Sequence, residues 1–231
     1  MQCADYLEYV IEKEGDVAAI LAEPVGATPY FPPPDYWKRV REWCDRKGIL
    51  LIFDEIPHGL GRTGKLFAFE HYGIVPDLLV LGKGLGGGML PLAAVVGHER
   101  FNDAIRTHSL GHYTHEKNPV LCAAGLATLR VIEEEGLVAA AAEKGAYFLE
   151  KLQNIAKTNP QIQQVVGLGL ILGIVVDRKY PHLPEEIMYK CLANGLSFKV
   201  SAGNVLTLVP PLTITYPELD LAASIIQQAL G

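Results

Sequence analysis

Apolar residues return every three or four positions between residues 4 and 13, a spacing that predicts a helix. "AAILA", 18 to 22, replaces that rhythm with an unbroken apolar run and predicts a strand ending at Glu23-Pro24. The prolines of "GATPYFPPPDYW" remove backbone donors and fix φ, so this stretch is a loop. A helix is predicted from Asp35, a natural N-cap, to Lys47, with Gly48 as its stop. Three further apolar runs lack polar alternation: "ILLIF" at 49–53, "LLVLG" at 78–82 and "LAAVVG" at 92–97. Such runs are typical of strands covered on both faces, which predicts an α/β sheet. Helices follow at 118–135 and, after Gly136, at 137–156.

From about residue 160 the pattern changes. Short strands are predicted at 163–167 and 170–176, a helix at 184–194, strands at 196–200 and 205–209, and a last helix from Pro217. This is the order of a separate α+β domain, and it divides the chain into 1–136 and 137–231. There is no internal repeat and no low-complexity segment.

Composition narrows the partners. The chain of 231 residues carries a net charge of −6, which argues against nucleic acid and against an anionic membrane surface. Small molecules or another copy of the chain fit better. "VVGLGLILGIVV", 165 to 176, is too short to cross a bilayer, and its glycines suggest two short strands. The acidic, amphipathic start does not resemble a signal peptide. Cys3, Cys44, Cys122 and Cys191 show no metal-ligand spacing and read as buried thiols of a reducing compartment, which predicts a cytoplasmic protein.

Glu23, Asp54 and Lys83 each follow an apolar strand. Ligands of open α/β sheets bind outside the carboxyl ends of the strands, so charges there are placed to meet one. Strand ends are also simply where chains become polar, but the glycines at 84, 86, 87 and 88 around the lysine favour a site. A lysine in a partly desolvated site becomes a nucleophile able to form a Schiff base with an aldehyde. An aspartate beside a pyridine nitrogen keeps that nitrogen protonated, which is what pyridoxal 5′-phosphate (PLP) needs as an electron sink. "GKGLGGG" does not match the phosphate-binding GxxxxGK[ST] pattern, and "GLGGGM" does not match the dinucleotide GxGxxG, so nucleotide binding ranks low.

The segment "GILLIFDEIPHGLGRTGKLFAFEHYGIVPDLLVLGKGLGGGMLPLAAVVG" resembles the class III, ornithine-aminotransferase-like branch of the fold type I PLP enzymes. Its aspartate and lysine have the separation found in that family. "THEKNP", 114 to 119, is similar to the family's Thr-x-x-x-Asn-Pro, and "GNVLTLVPPLTIT" to its carboxy-terminal signature. The resemblance implies part of a large PLP-binding domain, a mostly parallel sheet with helices on both faces, in 1–136. It implies an α+β small domain in 137–231. It implies PLP as cofactor, with Lys83 holding it covalently and then moving a proton between Cα and C4′, and Asp54 pairing with the pyridinium nitrogen. Ile56 would pack on one ring face, and Thr114 would bind the cofactor phosphate in the neighbouring subunit of a homodimer. The substrates implied are a small amine and a 2-oxoacid.

Family members are considerably longer, and the missing part would carry the phosphate-gripping Gly-Ser/Thr loop and some of the sheet. Alone, the chain is expected to be poorly stable or inactive, as a fragment, the product of a misplaced start at Met1, or half of a split gene. Pro57 and His58 stand where the family has glutamine and threonine, and Thr207 where many aminotransferases carry an arginine that clamps a substrate carboxylate. The Gln-Gly-Glu that often follows Glu-Pro is also absent, "VGATPY" standing in its place. A lyase releasing ammonia or phosphate from an aminophosphonate-type or phosphate-bearing amine is therefore the alternative to transamination, and a non-catalytic fragment a third possibility. His58, His112, His115 and Thr207 are candidates for substrate contact. His108 and His112 have helical spacing, but Gly111 and the lack of a carboxylate partner argue against a metal. Glu55 is expected to serve packing or an ion pair, Arg62 and Lys65 to lie in a solvated loop, and Cys122 in the core of its helix; Tyr30 and Tyr36 are candidates to border the substrate entrance.

Overall fold

The computed structural model of the chain describes residues 2–107, 114 and 116–231, and the chain divides into two compact units. One comprises residues up to 24, 31–60 and 67–134; the other comprises 25–30, 61–66 and 135–231. A single cut at 136 misses the two short excursions, 25–30 and 61–66, that group with the carboxy-terminal unit.

The first unit contains α1 (Gln2–Glu14), β1 (Ala19–Ala22), α2 (Tyr36–Lys47), β2 (Leu50–Asp54), β3 (Leu78–Leu81), β4 (Ala94–Gly97), α3 (Asn102–Thr107) and α4 (Pro119–Glu134). Its sheet has the order β1-β2-β3-β4, with the first two pairings parallel and β4 antiparallel to β3. Trp37, Val40, Trp43 and Cys44 bury one face of α2. The Trp37 ring meets Phe53 of β2 edge-on at 4.7 Å, and its Nε1–H donates to the Pro24 carbonyl at 2.7 Å. Gly48 ends the helix at φ 68°, as its position in the sequence predicts. Asp35 does occupy the N-cap, but in a helical conformation and without a side-chain capping bond.

The strands are not covered on both faces. Leu51, Phe53, Leu79 and Leu81 share the buried face, whereas Leu21 is 66% exposed and Val95 67%. Cys122 is exposed, not a core residue, and so is Cys3; burial pushes the thiols of Cys44 and Cys191 up to about 11.

The second unit carries α5 (Leu137–Lys157), β5 (Ile162–Leu168), β6 (Ile171–Val176), α6 (Leu183–Ala193), β7 (Lys199–Ser201), β8 (Val205–Leu208) and α7 (Tyr216–Leu230). Its antiparallel sheet runs β5-β6-β8-β7. Phe148, Leu152, Leu172, Ile174, Ile187, Leu206, Leu219 and Ile226 make one core from α5, α6, α7 and the central strands. A capping box at Thr215 and Glu218 starts α7.

Gly145 in α5 faces the turn between β5 and β6 so closely that a Cβ on it would stand 2.1 Å from the Gly169 carbonyl oxygen. Helix propensity alone favours Gly145→Ala by roughly 1 kcal/mol. The obstacle is backbone, which cannot swing aside, so overpacking wins and the variant loses about 2 kcal/mol or more. Denaturant unfolding of the two proteins measures this, and a more stable variant would contradict the packing.

Candidate active site

Parallel pairing of β1, β2 and β3 brings their carboxyl ends to one edge of the sheet. Ala22 pairs with Phe53 and Asp54 with Val80, so Glu23, Asp54 and the residues just after β3 line that edge. Lys83 lies two residues past the end of β3. Three charges that are far apart in sequence thus share one edge.

Lys83 opens a short 3-10 turn, Lys83–Gly86, and has a φ of 45°, the left-handed region that favours glycine. Its side chain is exposed and, among the described residues, forms no hydrogen bond or ion pair. Gly82 precedes it in extended conformation. A Cβ on Gly82 would meet the Ile56 side chain at 3.3 Å, so the absence of one lets Ile56 lie against the backbone beside the lysine. The Ile56 N–H donates to Asp54 Oδ1 at 2.9 Å, leaving the second carboxylate oxygen without a hydrogen bond among the described residues.

Glu55 turns away from this edge into the core and is 1% exposed. Instead of an ion pair it accepts two backbone hydrogen bonds, from Ala68 N–H to Oε2 at 2.7 Å and from Phe69 N–H to Oε1 at 2.8 Å. Burial pushes its pKa from the ordinary 4.5 up to about 7; the two amides pull it down, and the charges of Glu70 and Asp54 push it up.

A family model for class-III aminotransferases matches residues 1–230. The chain belongs to the class-III aminotransferases. It is 45% identical over 235 residues to (R)-1-hydroxy-2-aminoethylphosphonate ammonia-lyase of Vibrio splendidus, covering 99% of this chain and 49% of that protein. It is 40% identical over 198 residues to acetylornithine aminotransferase of Caldanaerobacter subterraneus subsp. tengcongensis, covering 86% of this chain and 49% of that one. The solved ornithine aminotransferase of Toxoplasma gondii superposes with a TM-score of 0.91 at 35% identity, over 98% of this chain and 53% of that chain. The fold is thus that of fold type I PLP aminotransferases, and the chain spans about half the length of the curated relatives it matches.

The other candidate residues of this class-III chain are placed unevenly. Thr114 is exposed, and His108, His112 and His115 lie outside the described residues. His58 is fully buried in the first unit, so its side chain does not open to solvent. Thr207 in β8 is 2% exposed and donates its hydroxyl to Ser201 Oγ at 2.9 Å; it also lines an apolar cavity of about 340 Å³ with Phe148, Phe198, Pro210 and Ile214. Arg62 is not in a solvated loop. Burial lowers its pKa, its guanidinium donates to the Pro210 carbonyl, and its own carbonyl accepts from Leu170 N–H at 2.9 Å. Sequence reasoning passed over Asp77, at the amino end of β3, which bonds Arg41 at 2.7 Å, Leu51 N–H at 2.8 Å, and Arg100. Its place just before an apolar run was the available signal. Among the described residues no cluster of metal-ligating side chains occurs, and no helix is long and apolar enough to cross a membrane.

Glu55 gives the first unit a pH dependence. Between its unfolded pKa near 4.5 and its folded pKa of about 7, the native protein keeps a proton that the unfolded chain has released. The native state binds more protons in that window, so stability falls as pH rises through it. Relative to Glu55→Gln, which is neutral throughout, the parent should lose stability across this range. Denaturant midpoints taken on both sides of the window check the difference; parallel curves would rule it out.

Proposed function

We propose that the chain supplies the covalent anchor and the ring acid of a PLP-dependent class III aminotransferase, acting on a small primary amine or amino acid with a 2-oxoacid as acceptor. The observation that carries this is the placement of Asp54 and Lys83 at the ends of neighbouring parallel strands. Because the chain spans about half the length of its relatives, the activity is proposed for the complete protein.

The residues suit the cofactor. An aldehyde requires an unpaired amine, and Lys83 has no hydrogen bond or ion pair among the described residues. A pyridine nitrogen requires a carboxylate with an unengaged oxygen, and Asp54 keeps one. A flat ring requires a close apolar surface, which Ile56 against Gly82 provides. PLP, when bound, supplies an electron sink for negative charge developing beside an amine nitrogen. Lys83 Nζ would hold the aldehyde covalently and, when free, would move the proton at the substrate Cα. Asp54 holds positive charge on the ring nitrogen, and Ile56 holds one ring face. Thr114 would serve the phosphate in the neighbouring subunit of a homodimer, and His112 and His115 are the candidates for substrate contact. A cytoplasmic location belongs to the same proposal.

A second outcome of the same proton abstraction is release of ammonia or phosphate from an aminophosphonate-type or phosphate-bearing amine. Thr207, in place of an arginine, favours it: its hydroxyl is engaged by Ser201 and it carries no charge to clamp a carboxylate. The 45% identity to an ammonia-lyase acting on a hydroxy-aminoethylphosphonate points the same way.

Borohydride reduction of the complete protein with PLP, followed by peptide mapping, should place the label on Lys83. A label elsewhere or none would end the proposal and favour a non-catalytic chain. Incubation with candidate amines, with and without 2-oxoacids, separates the two outcomes. Amino transfer that requires the oxoacid supports the transaminase; ammonia or phosphate released without it establishes the lyase.

A further inference from the structure

We infer that Glu55 is a positioning residue for the cofactor site: its carboxylate, clamped on the backbone of residues 68 and 69, fixes the aim of Asp54 and Ile56. The inference rests on the PLP function proposed above and concerns a residue that touches neither cofactor nor substrate.

Five hydrogen bonds meet at Glu55. Its N–H donates to the Val80 carbonyl at 2.9 Å, tying the end of β2 to β3 just before Lys83. Its carbonyl accepts from Gly59 N–H at 2.9 Å and His58 N–H at 3.2 Å. Its carboxylate holds Ala68 and Phe69 at 2.7 and 2.8 Å. One residue therefore fixes both ends of the segment 56–67. The peptide unit that follows Glu55 carries the Ile56 N–H, and that N–H is the donor that orients Asp54 Oδ1. Rotation of the Glu55 backbone would swing this donor, redirect the unengaged oxygen of Asp54, and shift Ile56 off Gly82. The path from clamp to ring acid is one peptide long.

A role in packing alone does not explain the residue choice. Burying a carboxylate is costly, and among the described residues no cation stands against it. Two hydrogen bonds from backbone amides recover part of that cost and define a direction, which an apolar side chain of the same volume would not.

Two variants test this in the complete protein. Glu55→Gln replaces one acceptor oxygen with an amine group that faces an N–H donor. Ala68→Pro keeps the Glu55 side chain but removes the donor on Oε2 and sets the ring Cδ against that oxygen, which pries the carboxylate off the clamp. The preceding residue, Phe67, already has the extended conformation that a following proline requires (φ −127°, ψ 145°), so this variant carries the test if Glu55→Gln misfolds. The readouts are PLP affinity by titration, the absorbance maximum of the bound cofactor, and hydrogen exchange of the Phe69 amide. Both variants should weaken PLP binding about tenfold, the low end of the loss seen when outer partners of a bound group are removed. Both should also move the absorbance maximum, because the charge beside the ring nitrogen has shifted, and expose the Phe69 amide to exchange. A parent that binds PLP, with variants matching it in affinity and absorbance, overturns the inference and leaves the proposed function standing. Faster amide exchange with affinity and absorbance unchanged makes Glu55 a structural clamp only, and also overturns it. A parent that binds no PLP overturns both.

Discussion

Parallel pairing of β2 with β3 is the constraint on which the candidate site depends. Parallel neighbours end on the same side of the sheet, about 5 Å apart. With Asp54 opposite Val80, the register leaves an acid at the end of one strand and an amine two residues past the end of the next. An antiparallel pairing of the same two runs would put one group at each end of the sheet. The hydrophobic effect supplies the force that holds the register: Leu51, Phe53, Leu79 and Leu81 share one buried face, and a slip of β3 by one residue would turn Leu79 and Leu81 outward.

The two carboxylates of the Asp-Glu pair show how strand geometry separates roles. Side chains alternate across the sheet, so Asp54 and Glu55 cannot face the same way. One stays partly exposed, accepts a single N–H and keeps an oxygen open. Its neighbour is enclosed and both its oxygens are occupied by backbone donors. Identical chemistry therefore yields a group available to a ligand and a group that fixes the surrounding backbone.

Much of this was legible from the chain. The apolar runs named every strand of the first sheet, and the residues closing those runs named the candidate site, because ligand chemistry collects where strands end. Other features depend on tertiary partners and leave little local trace. A run such as "LAAVVG" reads the same in either direction, so the antiparallel course of β4 was hidden. The grouping of 61–66 with the carboxy-terminal unit depends on contacts about a hundred residues away, such as Leu170 N–H on the Arg62 carbonyl, which turned an expected solvated loop into a half-buried one. Cys122 looked like a core residue in an apolar helix, yet the helix buries only Gly125 and Ile132 in this chain. Glu55 was expected to serve packing or an ion pair, and its partners, two backbone amides, are invisible to any motif of side chains.

Local conformational costs gather at the same place. Lys83 sits at a positive φ where glycine would be easier by roughly 1 kcal/mol, although glycines stand on both sides of it. One residue beyond Asp54, a carboxylate is buried with no cation against it among the described residues. A sequence shaped only for stability would put glycine at the first position and an apolar residue at the second. Local rules tend to be broken where a fold carries out chemistry, and here both breaks fall at the ends of adjoining strands. Neither departure is informative alone, since left-handed residues and buried acids occur elsewhere in proteins. Their coincidence with an amine and a carboxylate oxygen that have no partner among the described residues is what makes this edge the candidate site.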